Sequence, residues 1–516
     1  MQFTQGLIRA AQQTPDRLST LCDGRRRGFT ETRDRVARLA AGLRSLGVGP
    51  GSHVAALSFN SDYLLEAYLA IAWSGAVMVP VNFRWSAAEI AFSLIEAECD
   101  ALLVGADHLE MADDLRARCP DLRQVVAIGR AGGEGGWTGG ETLIGDHAPM
   151  ADACPAAGKP LGIFYTGGTT GKPKGVILSH ASLCLCGLGV LSEGLHAPGG
   201  TALQIMPMFH AGGMMQFISI LLRGNSQIIF PSFRPDQVLD AIERYSITDA
   251  MFVPSMMQAL LDHPAIGQHD VSSLSRVSYG ASPASETLIR RFIQGFPNAQ
   301  LVQGYGLTEA GGYVSALPWS EHLNGGEGRL RSAGRATVNA NVLISDGAGG
   351  EAKRGDVGEI LIRGPGVMSG YLKRPEETAE ALRDGWLYSG DVGYMDEGGY
   401  IFIVDRAKDM IISGGENVYS TEVENAVASH PAVQMCAVFG VPSEQYGEGV
   451  HAAIVLREGG GLTIEQLQAH CRPIIAGYKL PRSLEILESL PLSGAGKVLK
   501  TELRARHWAG RERMIG

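Results

Sequence analysis

The 516-residue chain contains no run of eighteen apolar residues, so it offers no segment long and apolar enough to cross a bilayer as a helix. The nearest stretch, Leu64 to Val81, is broken by Glu66, Gly75 and Pro80. Positive charge is not in excess either. The 44 Lys and Arg against 54 Asp and Glu give a formal net charge of −10, which argues against a nucleic-acid backbone as principal partner. Eight cysteines, at 22, 99, 119, 154, 184, 186, 436 and 471, form no CxxC pair, and no histidine cluster stands at metal-ligand spacing. Reduced, partly buried thiols are therefore expected. The first residues, Met-Gln-Phe-Thr-Gln-Gly-Leu-Ile-Arg-Ala, lack the charged and then apolar regions of a secretory signal. The expectation is a cytoplasmic protein, with peripheral membrane contact neither required nor excluded.

What the chain does have is length for more than one domain and an alternation of strand and helix patterns. His53 to Phe59 reads as a strand, Asn60-Ser61 caps a helix through Trp73, Gly75 stops it, and Ala76 to Val81 is the next strand. The same alternation returns at Ala101 to Val104, at Ile228-Ile229 before the helix Pro235 to Tyr245, and at Ala250 to Val253 before Ser255 to Leu261. Parallel sheets covered on both faces follow. The glycine-rich stretch Gly132 to Gly140 reads as a surface loop. Beyond about residue 320 short strands with glycine turns, Val342 to Ser345, Glu359 to Arg363 and Gly399 to Val404, suggest a strand-rich subdomain. A fresh α/β pattern starts at Met410 to Ile412. It continues with a helix Thr421 to Ser429, where Thr421 and Glu424 have capping-box spacing, and a strand Val433 to Val441.

Several motifs carry chemistry. Tyr165 to Val176 reads Tyr-Thr-Gly-Gly-Thr-Thr-Gly-Lys-Pro-Lys-Gly-Val between two strand patterns. Glycines at 167, 168 and 171 free backbone N–H groups, Thr166, Thr169 and Thr170 add hydroxyls, and Lys172 and Lys174 add charge, a set suited to a polyphosphate. It is not a Walker A loop, because Pro173 follows Gly171-Lys172. In Gln303 to Glu309, Tyr305 lies between Gly304 and Gly306, where its ring could stack on a purine, and Thr308-Glu309 could offer oxygens to Mg²⁺. Gly280-Ala281-Ser282-Pro283 ends a strand and opens a helix. Asp391 closes Trp386 to Asp391 and could accept two ribose hydroxyls, with Arg406 as a further donor. His210 sits in Pro207 to Gly213, Lys497 in the glycine-bearing Pro491 to Lys500, and Gly414-Gly415 in Ser413 to Asn417. Taken singly, a tyrosine between glycines also fits a turn, His210 a satisfied core residue, and the charged groups a solvated surface.

Together, in this order, the motifs resemble the acyl-adenylate-forming superfamily of acyl-CoA synthetases, nonribosomal-peptide adenylation domains and firefly-type luciferases. The resemblance covers almost the full chain. It implies an α/β fold with a large N-terminal domain of doubly wound sheets plus a β-rich subdomain (1–404), a hinge (405–408) turning about Lys408, and a small mobile α/β lid (409–516). It also implies ATP, Mg²⁺ and coenzyme A. By this resemblance Tyr305 stacks on adenine beside Gly280, Ala281 and Ser282, Thr308 meets the α-phosphate, Thr166 and Glu309 hold the metal, and Asp391 and Arg406 hold the ribose. His210 positions the acyl carboxylate, Lys497 bridges carboxylate and α-phosphate, and Gly414-Gly415 lines the pantetheine tunnel. Two departures stand out: Gly167 replaces a common Ser, and Leu492 to Ala495 replaces a common Arg-X-Pro-Thr.

The implied activity is an ATP-dependent acid:CoA ligase that forms acyl-AMP and then acyl-CoA. Met206, Met208, Met214, Met215, Met256 and Met257 form a flexible apolar set near His210, suited to a medium- or long-chain fatty acid, with an aryl acid such as a cinnamate or benzoate as the alternative. Core packing is an equal reading of several of these methionines. No Asp near Phe209-His210 offers to bind an amino acid's amine, and no carrier domain is evident. A nonenzymatic acyl or nucleotide sensor is the reading from a different class.

Overall fold

A computed structural model describes residues 1–132, 136–166, 173–323, 328–406, 409–414, 416–443, 445–493 and 497–508, with only the backbone at Arg406. Among these residues the chain forms four sheets. The parallel heart of an eight-stranded sheet runs through Pro160–Thr166, Val77–Pro80, His53–Leu57, Cys99–Val104 and Gln124–Ala127. A nine-stranded sheet is built likewise, with Gln300–Tyr305, Arg276–Gly280, Asp249–Phe252, Thr201–Gln204 and Ser226–Ile229 side by side and parallel. Helices intervene between these strands as the alternation predicts. The helix Asp62–Ser74 begins at the Ser61 cap, whose side chain accepts from the Leu64 N–H, and stops at Gly75 in the left-handed region (φ 84°). Only a residue without a Cβ takes that turn readily.

Glu66, which interrupts the apolar run, lies inside the fold. It pairs with Arg35 at 2.8 Å, and Arg35 also holds Glu141 at 2.6 Å, while Arg25 and Arg27 pair with the buried Asp62. These ion pairs tie the helices Phe29–Ser45 and Asp62–Ser74 to the strand Arg25–Gly28. Buried charges persist only with such partners.

A five-stranded antiparallel sheet, containing Asn341–Ile344, Gly358–Arg363, Trp386–Met395 and Ile401–Arg406, makes the strand-rich subdomain. A second five-stranded sheet builds the small C-terminal domain around Val433–Ser443 and Gly447–Leu456. The glycine-rich stretch departs from a plain loop. Thr138–Gly139 adds an edge strand and Gly140–Asp146 a helix, and residues 133–135 lie outside the described set.

The capping box expected from Thr421 and Glu424 does not form. The helix Ser420–Ala428 starts at Tyr419, which gives no side-chain cap. Its first N–H, that of Ser420, donates to Asp405 Oδ2 at 2.7 Å, so a carboxylate distant in sequence supplies the acceptor a local cap would provide. Glu424 instead accepts from the Val438 N–H at 2.8 Å and pairs with Lys500 at 2.7 Å. The eight cysteines are free, six of them buried. No helix among the described residues is long and apolar enough to cross a membrane.

Candidate active site

The strands Pro160–Thr166 and Lys174–Ser179, which flank the glycine loop in sequence, pair antiparallel with Thr166 opposite Lys174. Gly167, Gly168, Thr169, Thr170, Gly171 and Lys172 lie outside the described residues. At the loop's two feet, the Thr166 hydroxyl donates to the Lys174 carbonyl at 3.5 Å, and Lys174 Nζ stands 5.2 Å from the centre of the Tyr371 ring. Tyr371 belongs to the short strand Gly370–Tyr371, which pairs with the returning hairpin strand. Its hydroxyl donates to Glu309 Oε1 at 3.1 Å, and burial, helped by the nearby Glu309 carboxylate, pushes the phenol well above its usual range. Tyr371 thus joins the hairpin to Glu309. No motif in the sequence points to it.

Gly280 and Gly304 sit directly opposite each other on adjacent parallel strands. A Cβ on Gly280 would overlap the Gly304 carbonyl oxygen, one on Gly304 would meet the Tyr313 ring at 2.7 Å, and one on Gly306 would overlap Gly312. These glycines are therefore demanded by close backbone approach within the protein. Ala281, just past Gly280, holds a positive φ of 65°, a conformation that costs a non-glycine residue energy and is often kept at functional turns. Ser282 follows before the helix Glu286–Gly295 starts at its Ser285 cap.

Tyr305 ends its strand, and its hydroxyl donates to Asp391 Oδ2 at 2.7 Å. Asp391 is buried and faces Arg406 across the ladder of Trp386–Met395 and Ile401–Arg406. Thr308, also buried, opens the single turn Thr308–Ala310 that carries Glu309.

His210 caps the helix Ala211–Arg223, its Nδ1 accepting from the Gly212 N–H at 3.3 Å. The ring proton of the neutral form therefore belongs on Nε2. Burial, reinforced by the Lys497 ammonium, brings its pKa down to about 3, so the imidazole is neutral at physiological pH. Lys497 comes from the C-terminal domain, and its carbonyl accepts from the Ser493 N–H at 2.7 Å. Arg84 Nη1 donates to the Ser493 carbonyl at 3.0 Å, and Asp262 takes Arg457 at 3.4 Å and the Gln434 amide at 3.3 Å. These contacts hold the small domain against the large one, with the Lys497 ammonium near enough to His210 to disfavour its protonation.

Phe209, next in sequence to His210, belongs to an aromatic group. Phe83 meets Phe209 edge to face at 5.2 Å and Phe59 at 4.7 Å, and Phe59 meets His108 at 4.7 Å. Asn60 fixes the neighbouring loop through the Met206 carbonyl and the Met208 N–H, each at 2.9 Å. Met206, Met208, Met214, Met215 and Met257 are fully or almost fully buried, and four of them fill the main cores. Core packing accounts for them.

Gly414, by contrast, is exposed on the small domain, with φ 63° and its N–H donating to the Tyr446 carbonyl at 2.8 Å. Gly415 lies outside the described residues. Tyr371, Arg84 and Asp262 are the neighbours that the motifs did not nominate, since only tertiary contact brings them in.

Two sheet-built halves joined to a small second domain that carries Lys497 are the architecture of an adenylate-forming enzyme. A family model for the AMP-binding enzyme matches residues 7–372 and one for the AMP-binding enzyme C-terminal domain matches 422–497, and the chain belongs to this family. Its enzyme type is the AMP-forming acyl-CoA ligase. A feruloyl-CoA synthase of an Amycolatopsis species is 38% identical over 506 residues, covering 97% of this chain and 98% of that protein. A medium/long-chain-fatty-acid–CoA ligase of Mycobacterium tuberculosis (strain ATCC 25618 / H37Rv) is 35% identical over 496 residues, covering 94% and 86%. Among solved structures, an anthranilate CoA ligase in complex with anthranoyl-AMP superposes with a TM-score of 0.91 at 25% identity, covering 98% of this chain and 97% of that one.

Proposed function

We propose that the chain joins an aromatic carboxylic acid to coenzyme A through an acyl-AMP intermediate. The observation that carries this reading is the cluster of Phe59, Phe83 and Phe209 rings, the last next in sequence to the neutral His210. Flat aromatic walls suit a flat ring, which gains from edge-to-face contact as well as from burial. The relatives that act on ferulate and anthranilate support the same choice. A fatty acid is the second reading, supported by the mycobacterial relative.

In the first half-reaction a carboxylate oxygen attacks the α-phosphorus, the bond to the β-phosphate oxygen breaks, and pyrophosphate leaves. Both partners are anions. A fixed ammonium at Lys497 lowers that barrier, and the neutral His210 offers its Nε2–H to the acid without taking its proton. Tyr305 stacks on adenine beside Gly280, Ala281 and Ser282, Asp391 and Arg406 take the ribose, Thr308 meets the α-phosphate, and the hairpin from Thr166 to Lys174 grips the pyrophosphate side. Glu309 offers hard anionic oxygens of the kind Mg²⁺ takes, with the Thr166 hydroxyl near the hairpin. Bound there, Mg²⁺ would neutralise charge on the leaving phosphates.

In the second half-reaction the CoA sulfur attacks the acyl carbon and AMP leaves. Here the small domain turns at residues 405–408, Lys497 withdraws, and Gly414 and Gly415 come to the thiol's channel. The exposure of Gly414 in this arrangement of the domains supports this division of labour. The test is a panel of aryl and alkyl acids with ATP and CoA, reading pyrophosphate release and thioester mass. A hydroxycinnamate or benzoate should exceed octanoate and palmitate at least tenfold in kcat/KM; the reverse order would overturn the aromatic assignment.

A further inference from the structure

His451, Glu485 and His507 come from three elements far apart in sequence: the strand Gly447–Leu456, the strand Ser483–Ile486 and the helix Lys500–Trp508. The strands run parallel with His451 opposite Ser483 and Ala453 opposite Glu485, which puts His451 and Glu485 on one face. The helix crosses that side of the sheet, anchored where Trp508 Nε1 donates to the Gly440 carbonyl at 3.0 Å. Phe439, opposite His451 in the ladder, packs its ring 5.1 Å from His451 and 5.7 Å from His507. The two imidazoles stand 4.7 Å apart.

Three potential ligand atoms converge there. His451 Nε2 is 3.6 Å and His507 Nε2 3.8 Å from Glu485 Oε1, and one ligand atom from each residue falls within 4.8 Å of the others. These separations are too long for good hydrogen bonds. Each of the three atoms is buried and has no hydrogen-bond partner, an arrangement that native proteins seldom keep without a reason. His451 is 4% exposed, so its unpartnered Nε2 is aimed into the cluster from the interior. The separations are close to what a single cation would impose. Nitrogen and oxygen ligands about 2.0–2.1 Å from a tetrahedral Zn²⁺ lie about 3.3–3.4 Å from one another.

The surroundings match as well. His451 Nδ1 lies 2.6 Å from the Ser483 hydroxyl, so an Nδ1–H donated to that oxygen leaves the Nε2 lone pair for a metal, the outer-shell arrangement ligating histidines use. Glu485 and His507 are partly exposed, at 25% and 30%, which leaves an approach for the ion and for a water as fourth ligand. Sequence spacing could not signal the site, because strand pairing and helix docking create it.

We propose that His451, Glu485 and His507 form a site for a borderline transition-metal cation, with Zn²⁺ as the first candidate, that fastens the C-terminal helix to the sheet of the small domain. The helix begins three residues after Lys497, so a metal here steadies the base of the loop that carries the lysine. It lies outside the nucleotide and acyl site and does not depend on which acid is activated.

The test is titration of the metal-free full chain, without a histidine tag, with Co²⁺. One equivalent should bind with the visible d–d absorption of a low-symmetry, near-tetrahedral ion. His451→Gln and His507→Gln should abolish the band, Glu485→Gln should weaken binding at least tenfold, and Ser483→Ala should weaken it about 10- to 100-fold. Circular dichroism confirms that each variant is folded, and His269→Ala serves as a control that keeps the band. Zn²⁺ should displace Co²⁺ and raise the unfolding temperature of the wild type but not of His507→Gln. Absence of the band in the wild type, or a band that survives in both histidine variants, would overturn the site.

Discussion

Tyr305 and Asp391, 86 residues apart, share a hydrogen bond of 2.7 Å from phenol to carboxylate. The residue proposed to stack on adenine therefore also orients the one proposed to hold the ribose. Tyr305→Phe keeps the ring and removes only that bond. Loss of a hydrogen bond to a charged group is worth about 1.5–3 kcal/mol. KM for ATP should rise roughly 10- to 100-fold while kcat changes less than about threefold, and steady-state kinetics at saturating acid and CoA would show it. An unchanged KM would mean the bond has no part in nucleotide binding.

Lys497→Ala separates the half-reactions. Acyl-AMP formation should drop at least about 100-fold, the scale on which losing a group that stabilises transition-state charge acts. Thioester formation from supplied acyl-AMP should stay within about threefold. Equal loss of both would remove Lys497 from its assigned role.

Arg84 touches the lysine loop through one exposed bond to the Ser493 carbonyl. Arg84→Ala should slow pyrophosphate release about two- to tenfold, the range of a hydrogen bond worth about 0.5–1.5 kcal/mol. The second half-reaction, which proceeds with the loop withdrawn, should be unaffected. A matching loss in thioester formation would place Arg84 elsewhere in the mechanism.

His210, with its pKa near 3, stays neutral from about pH 5 to 8. The rate of adenylation against pH should therefore show no inflection belonging to this residue. Profiles of the wild type and of His210→Gln should run parallel, the variant lower. An inflection present in the wild type and missing from the variant would make His210 a proton carrier.

Two buried imidazoles, His180 and His322, should make stability depend on pH in the acid range. Burial brings His180 and His322 down to about 4, and His322 Nε2 lies 2.9 Å from the Tyr279 hydroxyl and its Nδ1 3.0 Å from the Pro318 carbonyl. Above the ordinary histidine value of about 6.5 neither the folded nor the unfolded state binds these protons. Below it the unfolded state does, so stability falls as pH drops toward 4, by up to about 1.4 kcal/mol per pH unit for each ring, and no further once the folded rings also protonate. Denaturant midpoints between pH 7 and 4.5 should follow this course, with a shallower slope in His322→Gln. Equal slopes would exclude His322 from the effect.

The parallel strands, the phosphate hairpin and the strand-rich subdomain are legible because each rests on a local pattern. Alternating apolar runs mark strands buried in sheets, and the Ser61 and Gly75 signals fix both ends of the helix between them. What local pattern cannot give is juxtaposition. Thr421 and Glu424 have the spacing of a capping box, yet Asp405 takes the helix terminus because the fold brings a buried carboxylate to it. Tyr371, Arg84 and Asp262 enter the site only through strand pairing or domain contact. The methionines near His210 read equally well as pocket or core, and burial decides for core at all but the half-buried Met256, while the Phe83 ring that meets Phe209 comes from 126 residues earlier in the chain.

Asp405 has a mechanical meaning as well. Its carboxylate holds the Ser420 N–H and hydroxyl, the Lys500 ammonium donates to that same hydroxyl at 2.7 Å, and Lys500 also pairs with Glu424. Asp405, the helix Ser420–Ala428 and the helix Lys500–Trp508 are thus bolted into one piece. A turn of the backbone at 405–408 would act on a stiff crank, and the lysine three residues before Lys500 would travel with it, with little of the motion lost in the small domain itself.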